Sequence, residues 1–125
     1  MKRNAFLVLA ILTAAGLSAG RAEAASAVAV DDRGYLMTSQ GQPTKEIAIY
    51  NALTSARQRY GPSVRILASS AVSGYCAIAV ASKGTGSVTG IALGRRSQAE
   101  ADSLAIGQCI KGRGADPKVI RRWHG

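Results

Sequence analysis

Apolar and polar positions along this chain fall into runs of three kinds. The first is continuous: Ala5 to Leu17 (AFLVLAILTAAGL) follows the positive pair Lys2 and Arg3, and Ala22-Glu23-Ala24 then offers small residues at the two positions a signal peptidase reads. This predicts a secretory signal over 1–24 and a mature chain starting near Ala25. The run is well short of the roughly 20 residues a bilayer span needs, and no Cys follows the cleavage site to take a lipid. The expected product is an exported protein, periplasmic or extracellular.

The second kind is short and β-branched at alternate positions, as strands are. AVAV at 27–30 matches AIAV at 77–80 with a shift of 50. Each is followed by a Gly-containing turn, Asp31-Asp32-Arg33-Gly34 in one place and Ser82 to Gly86 in the other. A further strand-like segment comes next, from Tyr35 to Thr38 and from Ser87 to Leu93, so both read as hairpins.

The third kind has helical spacing. Thr44 caps the first helix and Ser97 the second, where Glu100 stands three residues on in capping-box register. Ile49, Ala52, Leu53, Ala56 and Tyr60 share one helical face, as do Ala101, Leu104, Ala105 and Cys109. Gly61-Pro62 and Gly112 to Pro117 end the helices, and Val64 to Leu67 and Lys118 to Trp123 close each half as strands. The chain therefore reads as an α+β protein made of two ββαβ repeats, 27–70 and 77–123, packed into one small, mostly antiparallel domain with two helices. The helices are offset by about 53 and the last strands by 55. Neither unit can bury its sheet face alone, so the halves should pack on each other, with pseudo-twofold symmetry.

Composition sharpens this picture at two points. The core must be built mainly from Ala, Val and Ile, because the mature chain has one Trp, four Tyr and no Phe. Cys76 and Cys109 are the only cysteines, and in an oxidising compartment a disulfide is expected ahead of two separate buried thiols. The link would close a loop of 33 residues, for which closure gives roughly 3 to 4 kcal/mol.

Charge narrows the partners. The full chain carries 16 Lys and Arg against 7 Asp and Glu. Loss of Lys2, Arg3, Arg21 and Glu23 with the signal leaves 13 against 6, a net +7. Such a surface attracts acidic proteins and anionic envelope polymers, and nucleic acid is not excluded. Seven of the 13 lie in the last third: Arg95, Arg96, Lys111, Arg113, Lys118, Arg121 and Arg122, with Trp123 beside them. Arginine forks and an aromatic plane suit phosphate, carboxylate or base contacts, so these eight residues form the candidate anion-binding patch. The competing reading is a solubilising surface with Trp123 packed in the core. Strand alternation would put Arg121 and Trp123 on one face and Lys118 with Arg122 on the other.

The search for chemistry returns little. The one His, His124, stands beside the end of the sequence, where chains fray. Asp31 and Asp32 fit a turn, Glu100 a helix cap, and Glu46 a first-turn charge. Gly84-Thr85-Gly86 fits a hairpin turn better than a phosphate cradle, since no Lys-Ser or Lys-Thr pair follows. The expectation is no catalytic set, no metal site and no cofactor. An enzyme would have to draw on scattered Ser, Thr, Tyr35, Tyr50, Tyr60 or Tyr75 without a histidine partner.

The second half, with CAIAV at 76–80, a Gly-containing hairpin, SQAEAD at 97–102, LAIGQC at 104–109 and a terminal VIRRW, resembles the small secreted bacterial domain-of-unknown-function family 4189. The resemblance covers nearly all of 27–123 and implies secretion and a compact β-rich fold, with no catalytic residues. The chain departs from the family pattern in its hairpins, which lack aromatic residues, at Ala56, where a Cys might be expected, and at Ala115 and Asp116, which hold no second Cys. Against that pattern Cys76 to Cys109 is the one pairing left. The function expected is a non-enzymatic binding module with a basic C-terminal surface. The alternative is an inhibitor, immunity protein or effector with a single protein target, and a small hydrolase ranks below both.

Overall fold

The computed structural model describes residues 24–125. Apart from Ala24, the segment assigned to the signal lies outside the described residues. The elements run β1 (Ala25–Asp31), β2 (Leu36–Gln42), α1 (Lys45–Tyr60), β3 (Val64–Ser70), β4 (Tyr75–Lys83), β5 (Gly86–Arg95), α2 (Gln98–Lys111) and β6 (Ala115–His124). They form two antiparallel three-stranded sheets, β2-β1-β3 and β5-β4-β6. The expected α+β fold with two ββαβ units is what the chain adopts.

The duplication is visible in the ladders. Ala29 lies between Met37 and Ile66, and Ala79 lies between Gly90 and Val119, so both partners are displaced by 53 while the central strand is displaced by 50. The three extra residues of the second half all sit in the β4–β5 hairpin. From the second strand onward one offset holds, and the 55 expected for the last strands is corrected to 53. Irregularities recur with it. The register slips at Leu67 in β3 and at Ile120 in β6, and Gly41 and Gly94, both at φ +65°, sit where β2 and β5 slip. A left-handed glycine at a bulge is what lets a strand take an extra residue and coil.

Each sheet has a helix on one face and the other sheet on its second face. The helix contact is made of alanines. Ala48, Ala52 and Ala56 of α1 lie on Ala25, Ala27 and Ala29, and Ala101, Ala105 and Cys109 of α2 lie on Ala77, Ala79 and Ala81. An i, i+4, i+8 stripe facing an i, i+2, i+4 stripe is the geometric match of a helix to a strand, and small side chains bring the backbones close. Gly90 is the extreme case, since a Cβ built there would run into the Ala105 carbonyl oxygen. The opposite sheet faces carry the larger residues Val28 and Ile78, both fully buried where the sheets stack. Polar contacts cross this seam: Trp123 Nε1 donates to Ser26 Oγ at 3.2 Å and Arg121 donates to Thr38 Oγ1 at 3.1 Å.

Local signals account for the helix ends. Thr44 and Ser97 accept from the N–H of Ile47 and Glu100 at 3.1 Å, worth about 1 kcal/mol each. The expected reciprocal capping box is only half made, because the Glu100 carboxylate takes the Arg96 N–H instead of that of Ser97. On α2 the predicted apolar face is one residue too wide, and Leu104 is exposed.

The expected disulfide is not formed, and parity is the reason. Cys76 and Cys109 are both free and buried. Cys76 shares the sheet-facing side of β4 with Ile78 and lies beside the Ser26 hydroxyl of the other sheet, whereas Cys109 packs under α2 with Ala81. A sheet therefore separates the two sulfurs. Burial pushes both thiols up, so each stays protonated at neutral pH.

Two outcomes are expected. Native protein should give no reaction with a thiol reagent, and the unfolded, unreduced protein should titrate two thiols per chain; none in the unfolded state would restore the disulfide. Gly90→Ala should lower stability by about 1–3 kcal/mol in urea unfolding, because α2 must retreat from the sheet.

Candidate functional site

The eight candidate patch residues all come from the second half, but the fold divides them between its two ends. Arg95 and Arg96 stand where β5 meets the start of α2, next to Tyr75 and His124 in the ladder. Lys111 and Arg113 stand at the other end of α2, about 21 Å away along a 14-residue helix. Continuity in sequence did not become continuity on the surface.

The first group is largely neutralised. Arg95 pairs with Glu100 at 2.8 Å, and Arg96 approaches the same carboxylate at 3.8 Å. The Arg95 side-chain bond and the Arg96 N–H hold Glu100 below the usual carboxylate range. Arg122 belongs with them: it reaches across to α2 and takes both Asp102 oxygens, at 3.1 and 3.0 Å, which holds Asp102 low. These contacts fasten α2 to the strands beneath it. Trp123 is half-buried between the sheets and spends its donor on Ser26, so it packs as a structural residue.

The second group keeps its charge free. Lys111, Arg113 and Lys118 are exposed and form no ion pair with a described residue, and the same end of the sheet adds Lys83 at the hairpin tip, where Ser82 lies opposite Ala115. Lys83 was missed as a site residue because it lies 28 positions before Lys111. Only the hairpin pairing brings it close. Lys111 and Arg113 also sit at the negative end of the α2 dipole, which favours cations there. Asp116 is the one carboxylate of this stretch and joins no ion pair among the described residues.

β6 changes one expected grouping. The bulge at Ile120 restarts the alternation, so Lys118 faces Val80 and Arg121 faces Ile78, on the same side of the sheet as Trp123. Lys118 thus joins Arg121 and Trp123, and Arg122 alone points to α2.

His124 and Asp31 are both held by structural contacts. His124 is held in β6, edge-on to Tyr75 with ring centroids 4.5 Å apart, and hydrogen-bonds no hydroxyl or thiol among the described residues. It does not fray, because Gly125 and Gly74 exchange N–H···O bonds of 2.9 Å. An open depression of about 250 Å³ is lined by Val30, Asp31, Asp32, Ser63, Val64 and Arg65. Its buried carboxylate is already engaged: burial pushes Asp31 up, but the N–H of Tyr35 and the side chain and N–H of Arg33 outweigh this and hold it low. Among the described residues no group of three or more His, Cys, Asp or Glu could hold a metal ion, and no helix is long and apolar enough to cross a membrane.

Two copies of one ββαβ unit, stacked sheet to sheet with a helix on each outer face, place this protein in the class of internally duplicated α+β domains. The chain belongs to the family described as Domain of unknown function (DUF4189), whose family model matches residues 25–123. No curated protein and no solved structure matches it.

The Arg122 pair gives a pH test. The folded fold lowers the Asp102 pKa, so its contribution is complete above the unfolded value and is lost as pH falls through the folded one. The difference in urea midpoint between the native sequence and Arg122→Ala should be constant above about pH 5, shrink below about pH 4 and vanish in strong acid. A difference independent of pH would mean that Arg122 acts through packing.

Proposed function

We propose that this domain is a non-enzymatic binding module, working outside the cytoplasm, that recognises an acidic protein or an anionic envelope polymer through the basic end of its second half. The observation that carries this reading is the sorting of the cations. Arg95 and Arg122 are consumed by carboxylates, while Lys83, Lys111, Arg113 and Lys118 converge at one end with no ion-pair partner. Four cations against the single carboxylate Asp116 leave this end with a net positive charge that no described ion pair relieves. A cluster of this kind steers an oppositely charged partner toward one end of the molecule.

The triple change Lys111→Glu, Arg113→Glu and Lys118→Glu tests it. Retention of the mature protein on immobilised poly-glutamate at low salt should fall about tenfold with the circular dichroism of the folded state kept, while loss of the cations at the end of the α2 dipole lowers the unfolding midpoint. Unchanged retention would remove the cluster from the argument. In a pull-down from envelope extract, a single protein partner that survives high salt would favour the inhibitor, immunity or effector reading, and salt-labile polymer or nucleic acid alone would favour binding by charge.

A further inference from the structure

The two halves differ most at the outer edge of their hairpins. In the second half that edge is capped at one residue, Ile91. Gln108 of α2 lies over β5 and satisfies both backbone groups of Ile91, accepting its N–H at 2.8 Å and donating to its carbonyl at 2.8 Å. The helix comes close enough because residue 90 is glycine.

In the first half the residues at the matching positions are Thr38 for Ile91, Ser55 for Gln108 and Met37 for Gly90. Ser is too short to reach across, and Met37 carries the Cβ that Gly90 lacks. The Asp31 N–H donates to the Tyr35 carbonyl, so odd-numbered residues of β1 bond toward β2. In an antiparallel ladder Met37 and Ser39 then bond back to β1, and Leu36 and Thr38 turn their N–H and C=O outward. The Leu36 carbonyl accepts from the Tyr60 hydroxyl at 3.4 Å, but no described side chain takes the outward groups of Thr38.

The edge of β5 is capped at Ile91, the edges of β6 and β3 are defended by charge and irregularity, and β2 has neither a cap at Thr38 nor a charge of its own. β6 carries Pro117, Lys118, Arg121, Arg122 and two register slips, and β3 carries Arg65 and the bulge at Leu67. β2 reads LMTSQGQ, with no charge and no proline. The nearest charge comes from the other sheet, where the Arg121 guanidinium reaches Thr38 Oγ1.

We propose that the outer edge of β2 accepts an extended acidic segment of another polypeptide as a fourth strand of the first sheet. Thr38 exchanges main-chain hydrogen bonds with the added strand, and Arg121 meets carboxylates on alternate residues of it. This rests on the acidic-partner reading above and adds a mode of contact to it. A second copy of this chain is the poorer occupant, because pairing β2 with β2 would bring two Arg121 side chains together.

The test uses two blocked peptides. One alternates Thr and Glu, and the other is the same sequence with its backbone amides N-methylated, which keeps length and charge but leaves no N–H to give to a sheet edge. The first should bind at least about tenfold more tightly by fluorescence anisotropy and should slow hydrogen exchange at the Thr38 amide. Thr38→Pro, which removes an outward N–H that an edge strand can spare, should abolish the preference; because this comparison is made between peptides on native protein, it stands even if that variant misfolds. Equal affinity for the two peptides overturns the proposal. So does a peptide-free dimer in which the Thr38 amide is already protected. Poly-glutamate retention that depends on Lys111, Arg113 and Lys118 would survive either result, so edge addition and charge-driven binding fail separately.

Discussion

The constraint on which this fold depends is the closeness of helix to sheet. Three alanine-sized positions on each helix meet three on each central strand, and every one of them is at most 2% exposed. At the centre of the contact these small side chains set the spacing, so the helix follows its sheet closely and few substitutions there are tolerable in size. Bulkier residues flank the alanine contact, as Met37, Leu53, Ile66, Ile106 and Val119 do, or lie on the other face, where Val28 and Ile78 fill the space between sheets. One chain with few aromatic residues can in this way build four layers from about a hundred residues.

Much of that was legible because the signals are local and occur twice. The AVAV and AIAV runs, Thr44 and Ser97 as caps, and the glycines that stop the helices each act within a few residues. What was not legible depends on counting across strands. The slip at Ile120 is written in no residue type, yet it moves Lys118 to the other face. The cysteines failed for the same reason: compartment chemistry argued for pairing, whereas the face of the sheet on which each stands is fixed by register. The candidate patch failed in part because nearness in sequence hides the length of the helix that separates Arg96 from Lys111.

Duplication explains why the halves can differ usefully. With the frame set by alanine contacts and bulge glycines at Gly41 and Gly94, other positions are free to diverge. The second half uses Gly90 and Gln108 to cap its sheet edge at Ile91 and commits Arg122 to holding its helix. The first half leaves Thr38 open, and it tolerates a buried Ser39 hydroxyl with no partner where the second half has Ala92. Each half carries one buried polar atom without a partner, Ser39 Oγ in the first and Arg95 Nε in the second, so what sets the first half apart is the open backbone at Thr38.

The lone tryptophan has a consequence for observing the molecule. Trp123 lies near the end of the last strand of the second sheet, and its indole N–H rests on Ser26 in the first. Its emission therefore reports on the contact between halves more than on either half alone. If the halves part before they unfold, the indole would meet water and its spectrum would move to the red while the backbone circular dichroism was still intact, so this one side chain serves as a built-in gauge of whether the duplicated units are docked.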